Sequence, residues 1–208
     1  MRLENLTVFI IDDDPGVRDS IALMLGLVGF RTAVFASAEA FLSAYQTDWA
    51  GCVIADLRLP GKSGIELQAE LRARRSTLPF VIITAHGDVR TARAAFQAEA
   101  VDFLEKPFED EELRAAIETA FALEQSRIQR ADDLRSDAQR LAKLTARERE
   151  VMEQAAKGLH AKEIAAILEI SPRTVEVHKT RLMAKLGVRN VAGLVRFALL
   201  SKSDLCPD

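Results

Sequence analysis

Within its first 125 residues the chain alternates two patterns that together leave few folds open. Five short apolar or β-branched runs, Leu6–Ile11, Phe30–Phe35, Gly51–Ala55, Pro79–Thr84 and Val101–Leu104, are each followed by a stretch with apolar residues at helical spacing. Those stretches are Val17–Val28, Ala38–Tyr45, Gly64–Arg74, Val89–Ala98 and Glu109–Leu123. Five such units in a row predict a doubly wound α/β domain, a parallel sheet with helices on both faces. Three of the runs are almost wholly apolar, as strands covered on both faces must be. In sheets of this kind ligands sit at the carboxyl ends of the strands. That rule makes neighbours of Asp12–Asp14, Asp56, Thr84 and Lys106, since each follows or closes a run.

The second half reads as helix throughout. Neither Gly nor Pro occurs between Phe108 and Gly158, and Leu113, Ile117, Ala120, Ile128, Ala131, Leu134, Ala138 and Leu141 recur at three-to-four spacing, broken by Glu124. This fits an extended linker helix that pairs with a second copy, and equally a solvated charged helix, because so many alanines make a weak seam. Thr145 and Glu148 form a capping box that opens a helix ending near Gly158. A short helix over Lys162–Leu168 follows. Ser171 as N-cap and Pro172 at the first helical position start another, to about Leu186. A last helix spans Val191–Leu200. The expected division is a domain over 1–125, a helical linker over 126–142 and an all-α four-helix domain over 143–208.

Charge follows this division. Residues 1–125 hold 12 Lys/Arg against 20 Asp/Glu, a net of −8; residues 126–142 carry +1 and residues 143–208 carry +4. An acidic body with a basic end points to cations at one and an anionic partner at the other. At 49% hydrophobic and 28% charged, the 208 residues have the composition of a water-soluble globular protein. The amino-terminal region lacks a basic leader, and its apolar run Val8–Ile11 is too short for a signal peptide or a span, so the expected compartment is the cytoplasm, without a membrane partner. Cys52, in an apolar run, and Cys206, in a polar tail, form no motif.

Three successive acids, Asp12, Asp13 and Asp14, at a strand end are costly unless a cation neutralises them. With Asp56 and Lys106 at matching ends they offer hard oxygen ligands for Mg²⁺, an ammonium for phosphoryl oxygens, and a carboxylate nucleophile able to form an acyl phosphate. A solvated acid cluster at the strand ends is the plainer reading of the aspartates alone.

The segments VFIIDDDPGVR, VIADLRLPGKSG, VIITAHGD and AVDFLEKPFE, in this order and spacing, resemble the receiver signatures of two-component response regulators. Joined to LTAREREVM and KEIAAILEISPRTVEVHKTRLMAKL, they resemble the FixJ/NarL family with a LuxR-type helix-turn-helix output domain, and the FixJ branch in particular. The resemblance implies a flavodoxin-like receiver in which Asp56 accepts the phosphoryl group. Asp13 would bind Mg²⁺ directly, Asp12 through water, and Arg58 through its backbone carbonyl. Lys106, followed by a cis Pro107, would hold the phosphoryl oxygens, with Thr84 and Phe103 as the residues that switch. Glu99 and Glu169 depart from the family, which often has Gly there, so those helices are expected to end differently.

Read by angle, the helix from Pro172 turns Val175, Lys179, Leu182 and Leu186 inward with His178 beside them. Arg173, Val177, Thr180, Arg181 and Ala184 lie opposite, flanked by Glu176, a mixture suited to a major groove. Lys162, Arg173, Lys179, Arg181 and Lys185 are the expected phosphate contacts. An ordinary amphipathic helix has a similar pattern; the preceding short helix and turn favour helix-turn-helix. In the last helix Val191, Leu194, Val195, Ala198 and Leu199 make an inward stripe. Gly193, Phe197 and Leu200 make a second, either a dimer face, where the family places one, or part of a helix buried all round.

The function expected is a response regulator phosphorylated by a sensor histidine kinase, binding promoter DNA as a homodimer, with RNA polymerase as a further partner, and no enzyme beyond its own phosphoryl transfer and slow autodephosphorylation. The rivals are an aspartate-based phosphohydrolase, whose nucleophile normally follows the first strand, and a receiver whose helical domain binds protein.

Overall fold

A computed structural model describes residues 6–85 and 89–203; His86–Asp88 of the third receiver-like segment, and Cys206, lie outside the described residues. The elements run β1 Thr7–Ile11, α1 Pro15–Leu27, β2 Arg31–Phe35, α2 Ala38–Ala44, β3 Gly51–Asp56, α3 Gly64–Ala73, β4 Phe80–Thr84, α4 Val89–Gln97, β5 Asp102–Glu105 and α5 Asp110–Ala142. After these come α6 Ala146–Ala156, α7 Ala161–Leu168, α8 Pro172–Leu186 and α9 Val191–Ser203. All strand pairs are parallel, in the order β2-β1-β3-β4-β5. The order reverses between β1 and β3, where sheets of this type hold their ligand.

Side chains on a strand alternate between faces, and the core divides accordingly. Phe9, Ile11, Val53, Ala55, Phe80 and Ile82 meet Phe41, Leu67 and Ala95 of α2, α3 and α4. Val8, Ile10, Cys52, Ile54, Val81 and Ile83 meet Leu25 of α1 and Leu113, Ile117 and Phe121 of α5. The central strands β3 and β4 are buried along their whole length, as their apolar runs require. Burial also pushes the Cys52 thiol far above the ordinary thiol range, with Glu124 adding to the effect, so Cys52 is an apolar core residue.

The contacts divide the chain into residues 1–128 and 129–208, and the division falls inside α5. The expected linker 126–142 is helical, but its two ends belong to different cores. Ile128 packs on the α1–α5 side of the sheet, whereas Asp137 and Leu141 are buried in the second unit, among Leu144, Val151, Met152, Ile164, Val175, Leu182, Leu186, Leu194 and Phe197.

Three features depart from expectation. Glu99 and Glu169 do not change how their helices end; each takes the left-handed conformation itself, at φ 61° and 54°, at a cost of about 1 kcal/mol for a non-glycine residue. Glu99 is also paired with Arg72 at 2.6 Å. In α9 the inward side is Leu194, Phe197 and Ala198, with Leu200 against them, while Val191 and Leu199 are exposed. Phe197 is fully buried in its own unit. Of the face expected at Gly193, Phe197 and Leu200, Phe197 is therefore core and the other two are half-buried, α9 packing along α6, and the exposed apolar positions Val191 and Leu199 lie on the other side.

Candidate functional site

The register of the sheet builds the first site. Ile11 of β1 pairs with Ala55 of β3, Asp56 with Ile83 of β4, and Thr84 with Glu105 of β5. Asp12, Asp56, Thr84 and Lys106 therefore reach the same edge within two residues of each other. Gly64 keeps the start of α3 against that edge: a Cβ there would lie 2.5 Å from the Asp56 carbonyl oxygen. Asp14 is the N-cap of α1, accepting from the Gly16 and Val17 amides ahead of which Pro15 occupies the first helical position. This separates Asp14 in role from the two acids before it.

Asp12 is buried and Asp56 nearly so, and carboxylate oxygens of Asp12, Asp13 and Asp56 lie within 4.8 Å of one another. The Lys106 ammonium donates to Asp12 Oδ2 and to Asp56 Oδ2, both at 2.6 Å. The remaining Asp12 oxygen accepts the Asp14 amide at 2.9 Å, and the remaining Asp56 oxygen accepts the Arg58 amide at 2.9 Å. Burial works to lower the Lys106 pKa, but the hydrogen bonds to Asp12 and Asp56 outweigh it, and the ammonium is held above its ordinary range. The Lys106–Pro107 peptide is cis. Thr84 is fully buried at the end of β4, and Phe103 is half-buried against the α2–α4 side of the core. Three clustered carboxylates are a donor set that fits a hard divalent cation.

The second candidate site is the outer face of α8. Arg173, Glu176, Val177, Thr180 and Arg181 are exposed and line one shallow depression, while Val175, Leu182 and Leu186 are fully buried. Ser171 caps the helix through the Thr174 amide, and left-handed Gly187 closes it. His178 and Lys179 are half-buried, and Lys162 is exposed at the start of α7. Lys185 is engaged elsewhere. Its ammonium donates to Glu148 Oε2 at 2.6 Å and to the Lys143 carbonyl at 3.1 Å, so the phosphate contact expected of it gives way to a structural one.

Sequence reading did not single out this second role of Glu148. Its Oε2 also accepts the Thr145 amide in the capping box, and its side chain is buried. Burial acts to raise its pKa, but the hydrogen bonds from Lys185 and Thr145 prevail and hold the carboxyl below its ordinary value. The neighbouring residues do similar work. Arg147 donates to the Leu168 carbonyl at the end of α7, and Arg149 to the Leu141 carbonyl at the end of α5. Three consecutive side chains at the start of α6 thus tie down three other helices.

Comparison with known families places both halves. Residues 8–118 match the response regulator receiver domain, and residues 142–198 match the LuxR family of bacterial regulatory proteins. The transcriptional regulatory protein FixJ of Bradyrhizobium diazoefficiens is 43% identical over 92% of this chain and 94% of its own length. The chain belongs to the FixJ-like response regulators. FixJ of Rhizobium meliloti is also 43% identical, over 95% of this chain and 97% of its own. Among solved structures, the response regulator StyR matches with a TM-score of 0.83 at 40% identity, covering 94% of this chain and 98% of that one. Full-length FixJ from B. japonicum matches with 0.59 at 42%, covering 95% and 97%. A FixJ-like regulator is a phosphorylated transcription regulator, so the phosphohydrolase reading falls. Its receiver implies a kinase partner, and its LuxR-type domain implies DNA. Among the described residues no helix is long and apolar enough to cross a membrane.

Proposed function

We propose that Asp56 takes a phosphoryl group from the phosphohistidine of a sensor kinase. The observation that supports this most strongly is the Lys106 ammonium, 2.6 Å from both Asp56 and Asp12. A carboxylate oxygen of Asp56 attacks phosphorus, the phosphorus–nitrogen bond breaks, and the imidazole leaves with a proton. Lys106, already cationic and aimed at Asp56, then follows the new phosphoryl oxygens, and Asp12 gives up its share of the ammonium. Mg²⁺ on Asp12, Asp13, Asp56 and the Arg58 carbonyl would supply positive charge between nucleophile and phosphoryl group. Thr84 turns its hydroxyl toward the phosphoryl group and Phe103 moves into the space it leaves, which completes a two-state switch. Water returns the acyl phosphate slowly to Asp56.

The output half reads promoter DNA through α8. Glu176, Val177 and Thr180 meet base edges, and Lys162, Arg173, Arg181 and the half-buried Lys179 meet phosphates. Phosphorylation pairs two copies, on half-sites about 10 bp apart, and the complex engages RNA polymerase in the cytoplasm. The exposed positions Val191 and Leu199 replace Phe197 as the dimer face. Gel shifts against promoter fragments, with and without acetyl phosphate, test the whole reading. Phosphorylation should tighten binding to a subset of fragments in the parent and leave Asp56→Asn unchanged. Equal binding of every fragment in both states would favour an output domain that binds protein.

A further inference from the structure

The receiver unit has a second concavity, at the opposite end of the sheet from the acidic site. It is a cavity of about 570 Å³ between the end of α3, the turn into β4, the start of β5 and α5 near Glu124. Its apolar walls include Leu71, Leu78 and Phe80. Gln68, which is 2% exposed, lines it too. The Gln68 Nε2 donates to the Ala98 carbonyl at 2.7 Å, which fixes the orientation of the amide. Its Oε1 is then the one buried side-chain polar atom among the described residues that has no hydrogen-bond partner. Native proteins seldom leave such an acceptor empty, and an exception calls for a missing donor.

The charges around the cavity point the same way. Arg72 is paired with Glu99 at 2.6 Å, and Arg127 grips Glu124 through two nitrogens at 2.8 and 2.7 Å. Arg75 is left over: among the described residues its guanidinium has no acidic partner. The cavity therefore carries one uncompensated positive charge. Two of its lining residues, Arg75 at φ 60° and Glu99 at φ 61°, take the left-handed conformation where they close α3 and α4.

We propose that this cavity binds a small, ring-bearing organic monoanion that carries a hydrogen-bond donor, of the class of the hydroxylated aromatic carboxylates. The carboxylate meets Arg75, the ring lies on Leu71, Leu78 and Phe80, and the donor satisfies Gln68 Oε1. A cavity of this size suits a ligand of that scale.

Amide NMR of the full chain, titrated with 4-hydroxybenzoate, tests this, with benzoate and 4-hydroxybenzyl alcohol as probes lacking the donor and the charge. Saturable shifts should gather at Gln68, Ser76–Leu78, Phe80 and Val101, with a Kd on the order of 1 mM or tighter. Benzoate and the alcohol should each bind roughly tenfold more weakly, the loss expected for one unmade bond to a buried or charged group. Arg75→Gly removes the charge at a backbone position that glycine accepts readily, and should abolish the shifts while the rest of the spectrum stays in place. Gln68→Leu should erase the preference for 4-hydroxybenzoate over benzoate, and carries the test alone if Arg75→Gly loses its native spectrum. Absence of shifts at about 20 mM ligand, shifts confined to the acidic site, or undiminished binding by Arg75→Gly each overturns the proposal.

Discussion

The two units of this chain use charge in opposite ways. In the receiver the consequential charges converge on buried carboxylates: the half-buried Lys106 ammonium lies 2.6 Å from both Asp12 and Asp56 at one edge of the sheet. In the output unit the charges facing outward are dispersed along α8, and the buried carboxylates, Glu148 with Lys185 and Asp137 with Arg196, hold helices together. Burying a charge without a partner is costly in either place. The receiver turns that cost into reactivity, since an ammonium already drawn to Asp56 is poised for whatever charge arrives there. The output unit spends it on fixing where the reading helix sits. The difference teaches that burial marks chemistry only when the buried groups face a common opening.

The comparison breaks most visibly at Lys106. Lys106→Ala should slow phosphorylation by acetyl phosphate by about 10²–10³-fold, measured as the rate of acyl-phosphate formation. A rate within a factor of two of the parent would put Lys106 among merely structural ion pairs. Next in size is Phe197. Being fully buried, Phe197→Ala should destabilise the output unit by about 3–5 kcal/mol in urea unfolding. A loss below about 1 kcal/mol, with weakened self-association, would restore it to a dimer face.

Lys185 and Arg181 sharpen the contrast within the output unit itself. Arg181→Ala should lower the slope of log affinity against log salt by roughly one unit. Lys185→Ala should leave that slope alone and cost about 1–3 kcal/mol of stability, because it strands the Glu148 carboxylate. A slope change for Lys185→Ala would return that residue to the phosphate contacts. The sign of the pH effect follows from the depressed Glu148 pKa. Its stabilisation is present above the unfolded value, near 4.5, and is lost as pH falls through the lower folded value. Glu148→Gln should therefore flatten the acid limb of the output unit's stability profile, and an unchanged limb would remove Glu148 from the account. The smallest effect expected is that of Glu169→Gly, which relieves the left-handed backbone at the end of α7 and should stabilise by about 0.5–1 kcal/mol.

The receiver was the more legible half, for a physical reason. A parallel sheet puts every strand end on one edge, so Asp12, Asp56, Thr84 and Lys106 could be gathered by locating where apolar runs stop. Helix α8 was legible too, because one period of 3.6 residues sorts Val175, Leu182 and Leu186 from Arg173, Val177 and Thr180. What stayed hidden depends on contacts between elements far apart in sequence. Glu148 shows a complete local role as the partner of Thr145, and nothing in its spacing announces a second partner 37 residues on. In α9 two apolar stripes lie side by side, and only the position of α6 decides that Phe197 faces in while Leu199 faces out. Asp14 could have been separated from Asp12 and Asp13 in advance, since Asp followed by Pro opens a helix. Lys185 lies toward the end of a helix rich in basic residues, where a phosphate contact and an internal ion pair have the same local signature.

In the proposed reaction Asp56 is the one acid of the receiver's strand-end cluster that accepts the phosphoryl group. The direct measurement is to treat the phosphorylated chain with borohydride, which reduces an aspartyl phosphate to homoserine, and to locate the altered residue by peptide mass spectrometry. Homoserine should appear at position 56, and should be absent from Asp56→Asn protein and from samples prepared without the phosphoryl donor. Modification at Asp12, Asp13 or Asp14 instead, or acyl phosphate persisting in the Asp56→Asn protein, would contradict that assignment.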